Sequence, residues 1–400
     1  MLAAETEFAQ SAPVPPDAAL SVRLYRTWAE VEQFRGDWNR LLEENPSSSI
    51  FQTPEWLAAW WQAFARDRSL LCLLFADSCG AIVGIAPLYV DPVRFLGLSL
   101  TTLRMVGAGS GDSDRLDFIV SPGYEGQCAE AFMGWLAEDK NWHLCELETL
   151  PQNSVIGQAL VRRTPAFGWS ITSTLTPNFI VDLPMTWPQY LSTLEPSFRP
   201  LLTRYPKRLQ SRFSVTFTRC DTVEELKEQL PSLFDLHQMR WTGRGEIGAF
   251  ASSERCDFYY RMATAFLQRG WLEFWWLELD GKTVGAQFCF RHNNTVSLLQ
   301  EGFDPKYADE KIGYALKAHL LQNMIRSGAT RYDFLGGADP YKAKFGARQE
   351  NYLNLSIAGP SHLGRFYLAW QKQKRRAKTW LKNRLWVAAA RRRPSPRPSL

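Results

Sequence analysis

Two stretches of the chain open alike. Apolar and polar positions alternate through "SVRLYRTW" from Ser21 and through "SVTFTRCDT" from Ser214, and both then turn into an acidic helix start, "AEVEQF" and "VEEL". Alternation predicts half-buried strands, and acids in a first turn suit a helix N-terminus. Each is followed later by a hairpin of one design. In "LLFADSCGAIVGIAPLYV" and "WWLELDGKTVGAQFCFRH" a glycine (Gly80, Gly281) marks the turn and Val-Gly recurs after it (Val83-Gly84, Val284-Gly285). Asp280-Gly281 is a strong tight-turn signal. Each half then closes with a helix leading into a carboxylate-bearing strand, "WHLCELETL" and "TRYDFLGG". The pattern predicts a duplicated α/β unit, repeated after roughly two hundred residues.

Between the halves, "PSFRPLLTRYPKRLQSRF" (196–213) sets five cations over Phe198, Leu201, Leu202 and Leu209. The spacing predicts an amphipathic helix kinked or divided at Pro206, either a solvated connector or a basic wall facing an anion. After residue 355 the chain becomes basic and aromatic, then ends in Pro, Ser and Arg. The expected organisation is a flexible leader at 1–20, a first unit at 21–195, the basic helix at 196–213, a second unit at 214–355 and a basic tail at 356–400.

Composition refines this picture. Four hundred residues, 45% of them apolar, suit two domains with cores of their own. Seven scattered cysteines and five scattered histidines show no metal-ligand spacing, so a reduced, cytoplasmic, metal-free protein is expected. The leader lacks the charge and apolar run of a secretory signal. The apolar run Leu70–Val90 is cut by Asp77 and a glycine turn, and reads as a hairpin rather than a membrane span.

Charge is divided unevenly. Twelve of the 46 Lys/Arg and none of the 41 Asp/Glu lie after residue 350, which leaves a body of net charge −7 and a strongly basic tail. With Phe366, Trp370, Trp380 and Trp386 among the cations, the tail suits peripheral contact with an anionic membrane or with envelope-synthesis proteins. No nucleic-acid module accompanies it.

The chemistry-bearing stretch runs from "LLQEGFDPKYADEKIGYALKAHLL" to "YDFLGGADPYKAKFG". A strand enters a loop, a helix begins near Ile312 with Gly313, Tyr314 and Ala315 at its start, and a strand ends at Asp333 beside Gly336-Gly337. Bare N–H groups at a helix start suit an anion. The succession resembles the acyl-CoA-binding core of GNAT N-acyltransferases. With "FQTPEWLAAWW", "IAPLYV", "LRMVGAGSGDSDRLDFIV" and "LHQMRW", the doubled arrangement resembles the FemAB-like group, and within it the CelD-like acetyltransferases linked with exopolysaccharide synthesis. Glu310 departs from the family pattern, standing where its phosphate loop usually has Gln or Arg.

The resemblance implies tandem GNAT-like units, each a mixed twisted sheet flanked by helices. It also implies transfer of an acetyl or other acyl group from acyl-CoA to an amine on a sugar nucleotide or envelope precursor. Gly313, Tyr314, Ala315 and Lys344 are the expected donor contacts. Direct attack needs a proton acceptor, and Asp333 is the expected base, or else a bond partner for loop N–H groups. Tyr341 and Lys342 are expected beside it, with one of Lys342 and Lys344 facing an anionic group. Asp114, Asp117, Arg240 and Trp241 are the expected acceptor contacts. Two other readings stand: an aminoacyl-tRNA-dependent transferase acting on a peptidoglycan precursor, and a non-catalytic scaffold.

Overall fold

The computed structural model describes residues 19–391 except 140, 243, 244, 246, 247 and 338. All but the end of the expected leader, and the Pro/Ser/Arg end after Arg391, lie outside the described residues. Among the described residues thirteen strands form one mixed sheet: β1 (Ser21–Tyr25), β2 (Ser69–Ala76), β3 (Ile82–Phe95), β4 (Leu98–Met105), β5 (Ile119–Val120), β6 (Leu144–Pro151), β7 (Ser170–Asp182), β8 (Val215–Arg219), β9 (Leu272–Leu279), β10 (Lys282–His292), β11 (Thr295–Phe303), β12 (Arg331–Gly336) and β13 (Arg348–Ala358).

The repeat legible in the sequence is legible in the sheet. In the first half β1, β2, β3 and β4 pair antiparallel in order and β4 then lies parallel to β6; in the second β8, β9, β10 and β11 do the same and β11 lies parallel to β12. Asp280 and Gly281 both have positive φ, the geometry of a two-residue hairpin turn.

The last strand of each half is exchanged. β7 pairs with β12 of the second half, β13 pairs with β6 of the first, and β7 and β13 pair with each other in register from Ile180↔Arg348 to Ser170↔Ala358. The halves therefore share one sheet. The cores are not divided one per half either. The largest joins Trp56, Phe75 and Phe132 to Phe258, Phe274 and Phe288, with Trp56 packed edge-on against Phe258 at 5.0 Å. A second core lies under the helix Ile312–Arg326 on the opposite face, and a small third under the start of the C-terminal helix His362–Arg391.

Helix placement follows local chemistry. Thr53 caps the helix Pro54–Phe64 with proline at its first position, and the basic stretch forms one helix, Arg199–Gln210, that runs on through Pro206. The helix Val223–Thr242 lies so close to β11 that a Cβ on Gly302 would sit 2.5 Å from the amide nitrogen of His237, so only glycine fits there.

The exchange makes a prediction about cooperativity. Urea unfolding of the intact chain is expected to be one transition by both tryptophan fluorescence and circular dichroism, and a chain ending at residue 195 is expected not to fold, because β6 loses β13 as its neighbour. A folded 1–195 fragment on gel filtration with a cooperative melt would contradict this.

Candidate active site

β11 and β12 touch only through Thr295↔Arg331, Val296↔Tyr332 and Ser297↔Asp333, then diverge. Alternation along β12 sends Tyr332 and Phe334 into the second core, while Arg331 and Asp333 face a cleft on the other side of the sheet. The cleft has a volume of about 930 Å³ and draws on both halves. Its walls include Ser49, Arg115 and Asn153 from the first half and Ser297 and Glu350 from the second, with Ile180 of β7 among them.

Asp333 lines this cleft and is 1% exposed. Its Oδ1 accepts a hydrogen bond from the Leu335 amide at 2.8 Å. Burial raises its carboxyl to about 7, with the loop amide and Arg115 pulling it down and Asp114 and Glu350 pushing it up. Asp333 thus bonds the loop backbone, as expected of it, and also faces the cleft.

Beyond Asp333 the backbone leaves strand geometry. Leu335 and Gly337 have φ of +58° and +102°. The reason is Lys342, whose Nζ donates to the carbonyl oxygens of Phe334, Leu335, Gly336 and Gly337 at 3.2, 3.3, 2.7 and 3.1 Å. Lys342 is therefore buried and does not face a ligand anion, a correction to the sequence reading. The segment is a helical turn, Tyr341–Lys344, rather than extended chain; Lys342 points inward and Lys344 is exposed. Burial lowers the Lys342 pKa, and Asp339, Asp114 and Asp333 counteract it.

The first half reaches this turn through Asp114, whose Oδ2 accepts from the Gly336 amide at 2.7 Å. Burial raises Asp114 to about 6, against the Gly336 amide and Lys342. The other acids of that loop go elsewhere. Asp112 pairs with Arg255 at 3.1 Å and accepts from Tyr259, and Asp117 accepts from the Phe118 amide and from Ser154. Asp117 is not among the residues lining the cleft.

Arg240 and Tyr341 meet at a residue the sequence reading did not single out. Glu301 of β11 accepts from Lys317 at 2.8 Å, Gln287 at 2.9 Å, Arg240 at 3.4 Å and Tyr341 at 3.5 Å. Burial alone would raise its pKa, but Lys317 and Arg240 hold it at about 2. The available signal was a charge inside each of two apolar runs, "SLLQEGF" and "IGYALKAHLL". Trp241 donates to Nε2 of His237 at 2.8 Å, and burial keeps that imidazole neutral by lowering it to about 4.

The helix Ile312–Arg326 starts at Lys311, in the left-handed conformation, and its first turn holds Gly313, Tyr314 and Ala315. Tyr314 stacks on Phe345 with centroids 6.0 Å apart, and Ala315 is buried. The Tyr314 and Ala315 amides donate to the Lys311 carbonyl at 2.9 and 3.2 Å, which leaves the amides of Ile312 and Gly313 at the helix start to meet an anionic group such as a pyrophosphate. Glu310 is engaged from outside. Arg212 bonds it and Arg208 lies 3.8 Å away, both from the basic connecting segment. Its charge is thus met by two cations instead of opposing the loop.

Among the described residues no group of His, Cys, Asp or Glu is placed to hold a metal, and no helix is long and apolar enough to cross a membrane.

Known proteins share this architecture. The solved structure of FemX superposes with a TM-score of 0.57 at 13% identity, covering 80% of this chain and 95% of FemX. A conserved protein of unknown function from Bacteroides thetaiotaomicron VPI-5482 gives 0.50 at 11% identity, over 81% of this chain and 97% of that one. A tandem GNAT protein from the clavulanic acid biosynthesis pathway gives 0.46 at 14% identity, over 85% and 100%. No curated protein sequence matches the chain. Residues 196–343 match the family model described as acetyltransferase (GNAT) domain, and with that match the chain carries an acyltransferase domain in its second half.

Proposed function

We propose that the protein transfers an acetyl or other acyl group from acyl-CoA to the amine of a polar acceptor, by direct attack with Asp333 as base. The observation that carries this is the placement of Asp333: a cleft-lining carboxyl raised to about 7, on the last pair before β11 and β12 diverge. A base that ionises near neutral pH takes the ammonium proton as the amine attacks the thioester carbonyl. The tetrahedral intermediate then collapses, breaking the C–S bond and releasing the thiol. Pyrophosphate of the donor would lie at the first turn Ile312–Ala315, where Arg208 and Arg212 offset Glu310.

The cleft lining favours an acceptor rich in hydroxyl and amide groups, such as an amino sugar of a cell-envelope or exopolysaccharide precursor. Ser49, Gln152, Asn153, Asn293 and Asn351 line it and can donate and accept hydrogen bonds. A tRNA-linked donor would need a continuous basic path from the connecting helix. There Arg199 donates to the Ser192 and Leu194 carbonyls and Arg208 and Arg212 face Glu310, an arrangement that favours the smaller CoA donor.

Calorimetric titration with acetyl-CoA is expected to give saturable binding in roughly the micromolar to millimolar range. Folded protein that gives no heat of binding would remove the acyl-CoA reading.

Asp333→Asn keeps an acceptor for the Leu335 amide. It is expected to bind acetyl-CoA as the wild type does and to lose about 100-fold or more in turnover. In the wild type kcat/KM should rise with pH through about 7, a step the variant lacks. Stability runs the other way: the folded carboxyl keeps its proton to higher pH than an unfolded one, near 3.9. Wild-type stability should therefore fall as pH rises from about 4 through 7, and the variant should be roughly 2–4 kcal/mol more stable above pH 8. Unimpaired turnover would place the base elsewhere.

Lys342→Met removes a cation from beside Asp114 and Asp333. The kcat/KM step is expected to move to higher pH and urea stability to drop by about 3 kcal/mol, as when one partner of a buried charge pair is deleted. A stability loss with an unmoved pH profile would confine Lys342 to holding the backbone turn.

A further inference from the structure

The far end of the β3–β4 hairpin carries a turn that its own fold does not explain. Leu96 and Gly97 form a two-residue loop closing the pair Phe95↔Leu98, with φ of +49° and +82°. Such turns favour Asn, Asp or Gly at the first position, because a larger side chain is crowded at positive φ. Leu96 accepts that conformation and gains no burial from it: it is 76% exposed, and Leu98 beside it is 54% exposed.

A second element, remote in sequence, meets this tip. The C-terminal helix sets Leu363, Tyr367 and Leu368 against Phe95, Leu100 and Leu144. It presents Phe366 and Trp370 outward, 55% and 42% exposed, with ring centroids 5.9 and 5.1 Å from that of Phe95. Leu96, Leu98, Phe366 and Trp370 thus cluster around one buried phenylalanine.

The charges around the cluster are of one sign. Arg94, Lys372, Lys374 and Arg376 are exposed, and the Lys374 Nζ lies 5.0 Å from the Trp370 ring. The nearby acids are engaged within the protein: Glu146 with Arg104, Gln371 and Arg375, and Asp91 with Arg104 and Arg68. Exposed aliphatic and aromatic tips ringed by cations match the boundary of an anionic bilayer, where the tips enter the acyl region and the cations meet phosphate head groups. A second copy of this chain would bring like charges together.

We propose that the β3–β4 hairpin tip and the C-terminal helix form one membrane-docking surface for anionic phospholipid. The helix lies along the bilayer and Leu96 and Leu98 insert beside it. This surface is separate from the cleft, so it stands or falls apart from the acyl-transfer reading.

Flotation of the full chain with phosphatidylcholine vesicles, with and without phosphatidylglycerol, tests it. The wild type is expected to float with the anionic vesicles alone and to be released as ionic strength rises. Leu96→Ser/Leu98→Ser and, separately, Phe366→Ser/Trp370→Ser are expected to lower the partition coefficient on the order of tenfold. Met185→Ser, at a 90% exposed residue outside the cluster, should leave it unchanged. The hairpin side chains are exposed, so unchanged melting of that variant is expected, and its acetyl-CoA titration should match the wild type.

Three results would overturn the proposal. One is wild-type protein that stays at the bottom of the gradient with anionic vesicles. Another is a hairpin variant that floats like the wild type, which would leave the helix as the sole attachment. The third is a concentration-dependent dimer that the same substitutions abolish, which would make the cluster a self-interface.

Discussion

The pairing of β7 with β13 is the constraint on which the rest of the molecule depends. Each is the last strand of its half, and each lies between its counterpart and the other half's parallel pair. Removing either would expose the edge of a strand that is buried on both sides, and unpaired backbone groups there are costly. The cleft is a consequence of the exchange. Ile180 pairs with both Asp333 and Arg348, so a strand of the first half fixes the cleft-lining carboxyl of the second. Two independent GNAT-like units set side by side would hold Asp333 without this neighbour.

Local electrostatics then decide how the exchanged frame is used. The backbone after Asp333 turns its carbonyls onto one ammonium, and left-handed geometry at Leu335 and Gly337 makes that possible. The cation stabilises the turn and lies close to Asp114 and Asp333. Within the same half, Glu301 gathers Lys317 and Arg240 from helices on opposite faces of the sheet. A buried charge is tolerated only with partners, so both clusters restrict how these helices can sit around the diverging strands.

Much of this was legible in the sequence, and the limits follow from physics. Hairpins, helix starts and the position of Asp333 rest on signals within a few residues: Asp280-Gly281 at a turn, Thr53-Pro54 at a helix start, a carboxylate before a glycine pair. Strand exchange leaves no such signal, because the alternation of β7 and β13 is the same whichever partner each takes. Side-chain partners were hidden for the same reason. Glu310 stands as a misplaced acid until Arg212, 98 residues earlier, is brought to it. Lys342 and Lys344 differ in fate because the segment is a helical turn tucked under the carbonyls, a tertiary outcome. Asp117 looked free in its polar loop until folding set Ser154 beside it.

The duplication also shows how the two halves differ at one repeated point of the sheet. The third pair of the parallel contact is Ser297↔Asp333 in the second half and Arg104↔Glu146 in the first. Both place a carboxylate at the same point of the repeated sheet, and burial raises both pKa values. In the first half the residue directly across is an arginine, ion-paired to Glu146, and Gln371 of the C-terminal helix also bonds that carboxylate. In the second half the residue across is a serine, which cannot neutralise a charge, and both side chains line the cleft. The guanidinium across the strand pulls the Glu146 carboxyl down against burial; the hydroxyl across from Asp333 supplies no such charge. The change from arginine to serine across the strand thus leaves an ion pair at this point of the first half and a cleft-lining carboxyl beside a hydroxyl in the second.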